Sequence, residues 1–194
     1  MADVSDRTPP ELPTAEPDAE ALRTAKVAMS EAIRAVIAAP SQLGPAEQLR
    51  DATAAVLTLD PRAAHGVVNG ARELLQSGRV IRAVVTAIST AATHDMDASP
   101  LDPEQRIAFL EMGVELLEKP TIVSGVHDDE ARASVLDQTA AAYDFAAGRV
   151  RDELKVDVFR AKAEHRRSTA TVLRAEAALH GAVRAASRNA GLGR

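Results

Sequence analysis

The carboxy-terminal third of the chain constrains the fold most, because it contains no proline and very few glycines. After Pro120 there is no proline, and only Gly148 and Gly181 interrupt the stretch between Asp128 and Gly191. A segment so free of helix breakers predicts one continuous helix, capped by Asp128 or its neighbour. At about 1.5 Å per residue this helix would be roughly 90 Å long, so we expect it to project from its domain.

Basic side chains share one side of this long helix when successive residues are placed 100° apart. They are Arg160, Arg166, Arg167, Arg174, Arg184 and Arg188. Arginines in such a row can neutralise phosphates, so this face is a candidate site for a partner protein or a polyanion. The alternative is a solvated polar face of the kind that every amphipathic helix has.

Small and apolar residues form a stripe on the opposite side of the same helix. The spacing of four and then three residues is that of a heptad seam, which predicts contact with a second helix. The predicted oligomer seam consists of Ala161, His165, Ser168, Val172, Ala175, Leu179, Ala182 and Ala186.

Charge is divided unevenly along the chain. The net charge is −5, yet from Arg149 onward eleven basic residues face five acids, a local excess of +6. Residues 1–148 therefore carry −11. An acidic body with a basic arm can associate head to tail, bind nucleic acid or dock on an acidic partner.

The rest of the chain predicts a helical body, so we expect an all-α fold. Residues 1–17 contain four prolines among acidic and small polar residues and predict a disordered acidic tail. Residues 18–158 form the predicted helical domain, with five helices before the long one. These helices are expected at about 18–39, 45–59, 61–76, 79–93 and 102–119, and residues 159–194 are expected to protrude as the basic amphipathic helix.

Two local patterns in the body lead to specific expectations. Val80 to Thr93 is rich in β-branched residues, but its apolar positions repeat at helical spacing, which favours a helix over a strand. Gly66 and Gly70 are four residues apart, which favours a close helix crossing at that point. The alternative is that Asn69-Gly70 marks a turn.

Histidines and aspartates provide the one candidate for a catalytic metal site. His65, the pair His94-Asp95 and the pair His127-Asp128 are spaced along the body, with Asp129 or Asp137 as a further ligand. The set resembles the metal ligands of HD-domain phosphohydrolases, an all-α family in which a bound cation activates water. The alternative, which we favour, is that these residues lie at helix ends and interact with the helix dipoles.

Several classes of function are disfavoured by what the sequence lacks. There is no cysteine, so neither a disulfide nor a thiolate metal site is possible, which suits a reducing cytoplasm. No apolar run is long enough to span a bilayer, and the first residues do not form a secretory signal, so we expect a soluble cytoplasmic protein. No phosphate loop or nucleophile elbow occurs, so we expect no catalytic residue, cofactor or bound metal.

The sequence therefore predicts a non-enzymatic interaction protein that assembles through its long basic helix, as a homo-oligomer or as a subunit of a larger assembly. In organisation such a chain is similar to viral scaffolding and connector proteins. The first alternative is a nucleic-acid-binding accessory protein that uses the arginine face. The second is a metal-dependent phosphohydrolase of the HD type.

Overall fold

The computed structural model describes residues 19–99, 101–118 and 129–191, except for the side chains of residues 184 and 189–191. Within these ranges the protein is all-α, with no strand. The helices are α1 (Ala19–Ala38), α2 (Leu43–Leu59), α3 (Pro61–Gly70), α4 (Gly78–Thr93), α5 (Pro103–Glu118), α6 (Asp129–Ala147) and α7 (Glu153–Gly191). The tail predicted for residues 1–17, and His127 and Asp128, lie outside the described residues.

Local sequence signals explain where several of these helices begin. Asp60 accepts a hydrogen bond from the Arg62 amide at 2.9 Å, and Pro61 occupies the first position of α3. Asp102 likewise accepts hydrogen bonds from two amides in the first turn of α5. The predicted starts of both helices are confirmed, and the β-branched stretch 79–93 is a helix as expected.

The helices pack mainly against their neighbours in the chain. Contacts follow the order α1–α2, α2–α4, α4–α5, α5–α6 and α6–α7, and α3 lies against α1, α2 and α5. At the centre Gly113 of α5 permits a close approach, since a Cβ there would lie 3.2 Å from a methyl group of Val85 on α4. One apolar core runs through all seven helices. None of the described helices is long and apolar enough to cross a membrane.

The prediction of one continuous helix after Asp128 is wrong, because the chain reverses direction between residues 148 and 152. The amide of Gly148 closes the last turn of α6 on Asp144, and Asp152 then caps α7 through the amides of Leu154 and Lys155. A glycine after one helix and an aspartate before the next are ordinary stop and start signals. The body therefore has six helices rather than five, and α7 folds back along α6.

An arginine pair anchors this reversal to the body. The guanidinium groups of Arg149 and Arg106 both contact the Phe145 ring, at 3.5 and 4.9 Å from the ring centroid. Arg149 also pairs with Asp97 at 2.7 Å. Arg106 is fully buried, and burial lowers its pKa. These contacts fix the direction in which α7 leaves the turn.

Two predictions for α3 are also wrong. The helix ends at Gly70 instead of Gln76 and is followed by a short 3-10 turn, Arg72–Leu74. The close crossing expected at Gly66 and Gly70 does not occur, since a Cβ at either glycine would meet nothing within 4 Å. The two glycines instead leave open space on the surface of the body, and Asn69-Gly70 marks the end of the helix.

Candidate functional site

The long helix α7 contacts the body through a narrow line of small residues. Ala163 and Ala170 are completely buried, Leu173 is buried, and Phe159 packs on Tyr143 with ring centroids 5.9 Å apart. On α6, the alanines at positions 133, 140 and 147 recur at the same interval of seven residues and are also buried. Small side chains at a helix contact allow the axes to approach to the lower end of the usual 8–10 Å. The two helices therefore form a close antiparallel pair.

Charged side chains border this contact and set its register. Arg166 binds Glu111 of α5 with two hydrogen bonds, of 3.1 and 2.5 Å. Arg167 pairs with Asp144 of α6, and Arg174 reaches Asp137 at 2.6 Å. Arg174 comes after Arg167 in α7, and its partner Asp137 comes before Asp144 in α6, as antiparallel packing requires. Three of the six arginines in the predicted arginine face thus hold carboxylates of their own chain.

A buried hydroxyl completes the central ion pair. Tyr143 of α6 donates a hydrogen bond of 3.0 Å to Glu111, the same carboxylate that Arg166 binds. Burial and this acceptor raise the pKa of Tyr143 to about 12. One carboxylate of α5 therefore joins α6 and α7.

The other three arginines are placed differently. Arg160 is exposed, and among the described residues no carboxylate pairs with it. The side chain of Arg184 lies outside the described part of the chain, and Arg188 is exposed near the end of α7. Arg166, Arg167 and Arg174 therefore contact the body, whereas Arg160 is exposed to solvent.

The predicted oligomer seam lies on the outer side of α7, away from α6. Its eight residues, Ala161, His165, Ser168, Val172, Ala175, Leu179, Ala182 and Ala186, are all exposed. The helix thus has two apolar faces, an inner one that is buried on α6 and an outer one that the described chain leaves uncovered. We call the second one the outer seam.

The outer face of α7 exposes large apolar side chains as well as alanines. Leu154 is 74% exposed and Leu179 is 63% exposed, and Val158, Val172 and Val183 are also exposed. At 100° per residue these five side chains fall within an arc of about 60°. They account for most of the large apolar side chains that the described surface exposes. Such a concentration on one helix face is typical of interaction surfaces.

The free end of α7 extends this surface beyond the body. Arg174 contacts Glu130 in the first turn of α6, so α7 passes the end of α6 shortly after this point. From Ala178 to Arg188 every described side chain is exposed. The fourteen residues of helix from 178 to 191 would span about 20 Å. Within the described part of the stretch 159–194, which is expected to protrude, the residues up to Arg174 lie against the body and those from Ala178 onward are exposed.

The histidines and aspartates of the metal hypothesis are used elsewhere. His65 is hydrogen-bonded to Asn69 within α3, His94 ends α4, and Asp137 pairs with Arg174. Among the described residues, no three His, Asp or Glu side chains are placed to hold a metal ion. His127 and Asp128 lie outside those residues. The phosphohydrolase alternative gains no support from this arrangement.

Comparison with known proteins gives no assignment. No family model, curated protein or solved structure matches this chain. The function must therefore be inferred from the surfaces described above.

Sequence reasoning missed the partners of the arginines. Glu111, Asp137 and Asp144 come from α5 and α6 and lie between 23 and 55 positions away from the arginines that they bind. The spacing of Asp137 and Asp144, seven residues apart like Arg167 and Arg174, was the available signal. It becomes visible only when the turn at Gly148 is recognised, because that turn places α6 antiparallel to α7.

Proposed function

We propose that this protein is a non-enzymatic interaction protein that self-associates through the outer seam of α7. The observation that carries the proposal is the exposed row of large apolar residues on a helix whose opposite face is already buried. Covering a side chain such as leucine or valine stabilises a complex by about 1.5–3 kcal/mol when burial is complete. Several such side chains at heptad spacing supply the contact that a helix pair requires.

The pattern of residues beside the seam favours a second copy of the same chain as the partner. Val158, Val172 and Leu179 fall at one core position of the heptad, and Ala161, Ala175 and Ala182 fall at the other. In a parallel pair of such helices, Asp157 of one copy lies beside Lys162 of the other, an attractive pairing that occurs twice by symmetry. A heterologous partner with its own apolar helix face is the alternative within the same class.

Nucleic-acid binding is the alternative function, and the contacts of the arginines support it less well. Arg166, Arg167 and Arg174 already bind carboxylates within the chain. To bind phosphates they would have to give up these partners, and all three partners lie on α5 and α6, which are part of the core packing.

The proposal is tested by measuring the molar mass of the protein in solution with light scattering. We expect the full chain to be oligomeric at tens of micromolar and the double variant Val172→Glu/Leu179→Glu to be monomeric. A glutamate at the seam must be desolvated in the complex, so association should weaken by at least tenfold, about 1.4 kcal/mol.

A matched control separates loss of the seam from the change in charge. His180→Glu/Ser187→Glu adds acidic residues at two exposed positions of α7 that neither form nor directly flank the seam, and it should remain oligomeric. Circular dichroism should show that both variants keep their helices, because all four positions are exposed. A full chain that is monomeric at tens of micromolar would refute self-association and leave the heterologous partner.

A further inference from the structure

A second surface lies in the groove between α1 and α3. Its volume is about 650 Å³, and a neighbouring concavity of about 450 Å³ shares Leu22, Lys26 and Arg34 with it. The groove exists because Gly66 and Gly70 carry no side chain on the side of α3 that forms its wall, where a Cβ would meet nothing within 4 Å. The two concavities form one continuous surface along α1.

The groove is lined with apolar residues that the described chain leaves uncovered. Val27 on α1 is 52% exposed, and Leu74 after α3 is 53% exposed. Leu22 and Val67 lie half-buried between them and pack against the core. A bound segment with an apolar side chain would cover this surface.

The rim of the groove is basic. Lys26 and Arg34 from α1 and Arg62 from α3 line it, and among the described residues no carboxylate pairs with any of the three. The one described carboxylate in the lining of the larger concavity, Asp60, accepts the Arg62 amide as the cap of α3. The groove therefore suits an acidic segment with an apolar anchor.

We propose that residues 1–18 of this chain bind in the α1–α3 groove. This segment contains five acidic residues and one basic residue, so its charge is opposite to that of the rim. Its apolar residues include Leu12, which is flanked by Glu11 and Glu16 and by prolines on both sides. Prolines restrict the unbound backbone and so lower the entropic cost of binding.

The point of attachment makes this segment the nearest available ligand. Ala19, the first described residue, itself lines the smaller concavity. From Leu22 to Arg34 the groove follows about 18 Å of α1. An extended segment rising about 3.1 Å per residue spans that distance in about six residues. The eighteen residues are thus long enough to turn at Pro17-Asp18 and follow the groove.

Thiol protection provides the test, because the chain contains no cysteine. Gly66→Cys places a single thiol in the groove without a clash, and its rate of reaction with a maleimide is measured in the full chain. A tethered segment has an effective concentration on the order of millimolar, so even a Kd of about 1 mM gives substantial occupancy. We expect the thiol to react about twofold faster or more when Asp6, Glu11 and Glu16 are changed to amides, which is the change that release from half occupancy gives.

Three further measurements decide between the outcomes. Ala55→Cys, exposed on α2 and outside the groove, should react at one rate with either form of the segment. A synthetic peptide of residues 1–18 should restore protection of Gly66→Cys in the amide variant, saturably. Lys26→Glu/Arg34→Glu should abolish protection.

Equal rates with the acidic and amide segments would overturn the proposal, and protection that disappears on dilution would assign the groove to a segment of a second molecule.

Discussion

The single tyrosine of the chain reports on the contact that joins three helices. Tyr143 is 4% exposed and donates to Glu111, which also binds Arg166. Burial is the main reason that its pKa is raised to about 12, and the Glu111 carboxylate adds to the effect. The folded state therefore favours the neutral phenol. The corresponding stability is fully present below the unfolded pKa of about 10 and is lost between pH 10 and 12.

The titration of Tyr143 can be followed by ultraviolet absorbance, since the chain contains one tyrosine and no tryptophan. We expect a pKa near 12 in the native protein and a lower value in Glu111→Gln, which removes the charge that opposes ionisation. Comparison with Tyr143→Phe should show that the tyrosine accounts for part of the stability lost above pH 10. A native pKa of 10 would mean that the hydroxyl is exposed and the three-helix contact is not formed.

Single residues show which parts of the site could be predicted from sequence. The exposed seam residues could be identified, because heptad spacing depends only on neighbours within one helix. The role of Arg166 could not, because its partner is 55 positions away and only the tertiary fold brings the two together. A row of arginines on a helical wheel gives no information on whether carboxylates of the same chain face it.

At the scale of the element, the start of α7 depends on one side chain. Asp152 accepts hydrogen bonds from the amides of Leu154 and Lys155, at 3.0 and 3.4 Å. We expect Asp152→Ala to lower the free energy of unfolding by about 1 kcal/mol, the usual cost of losing such a cap. Urea unfolding followed by circular dichroism measures the change.

The neighbouring acidic residue serves as the control. Glu153 is exposed in the first turn of α7 and makes no cap hydrogen bond within the described chain, so Glu153→Ala should change the stability by only a few tenths of a kcal/mol. Equal effects of the two substitutions would mean that the loss comes from charge near the helix start rather than from the cap. The role of Asp152 in ending the turn would then be wrong.

The helices that were predicted well have their signals in adjacent residues. Aspartate-proline pairs begin α3 and α5, and the apolar repeat of α4 outweighs its β-branched composition. The turn at Gly148 was missed because one glycine in a long alanine-rich stretch costs only about 1 kcal/mol within a helix. What decides between a kinked helix and a hairpin is the gain from burying α7 on α6, and that gain is a property of the packed structure.

For the whole molecule, the acidic body and the basic arm neutralise each other in part within one chain. The number of arginines available to a polyanion is therefore limited. Three of the six bind carboxylates of the same chain, so no more than three can contact phosphates while those pairs persist. We expect DNA binding to be weak and independent of sequence, with a log–log salt slope no steeper than about −3.

Electrophoretic mobility shifts at several salt concentrations measure this slope. Arg160→Glu should weaken whatever binding exists, whereas Arg166→Glu should mainly destabilise the contact with Glu111. A slope near −5 would show that the arginines release their carboxylates to bind DNA. A sequence-specific complex in the nanomolar range would make nucleic-acid binding the leading function.

The division of α7 into a docked half and a projecting half also affects how it would fold against a partner. An isolated helix must first form its initial turn, which is the unfavourable step of helix formation. Here the turns packed on α6 provide that start, and the projecting half continues the same helix at one hydrogen bond per residue. A partner that binds the outer seam therefore meets a helix that is already formed, and little of its binding energy is spent on nucleating one.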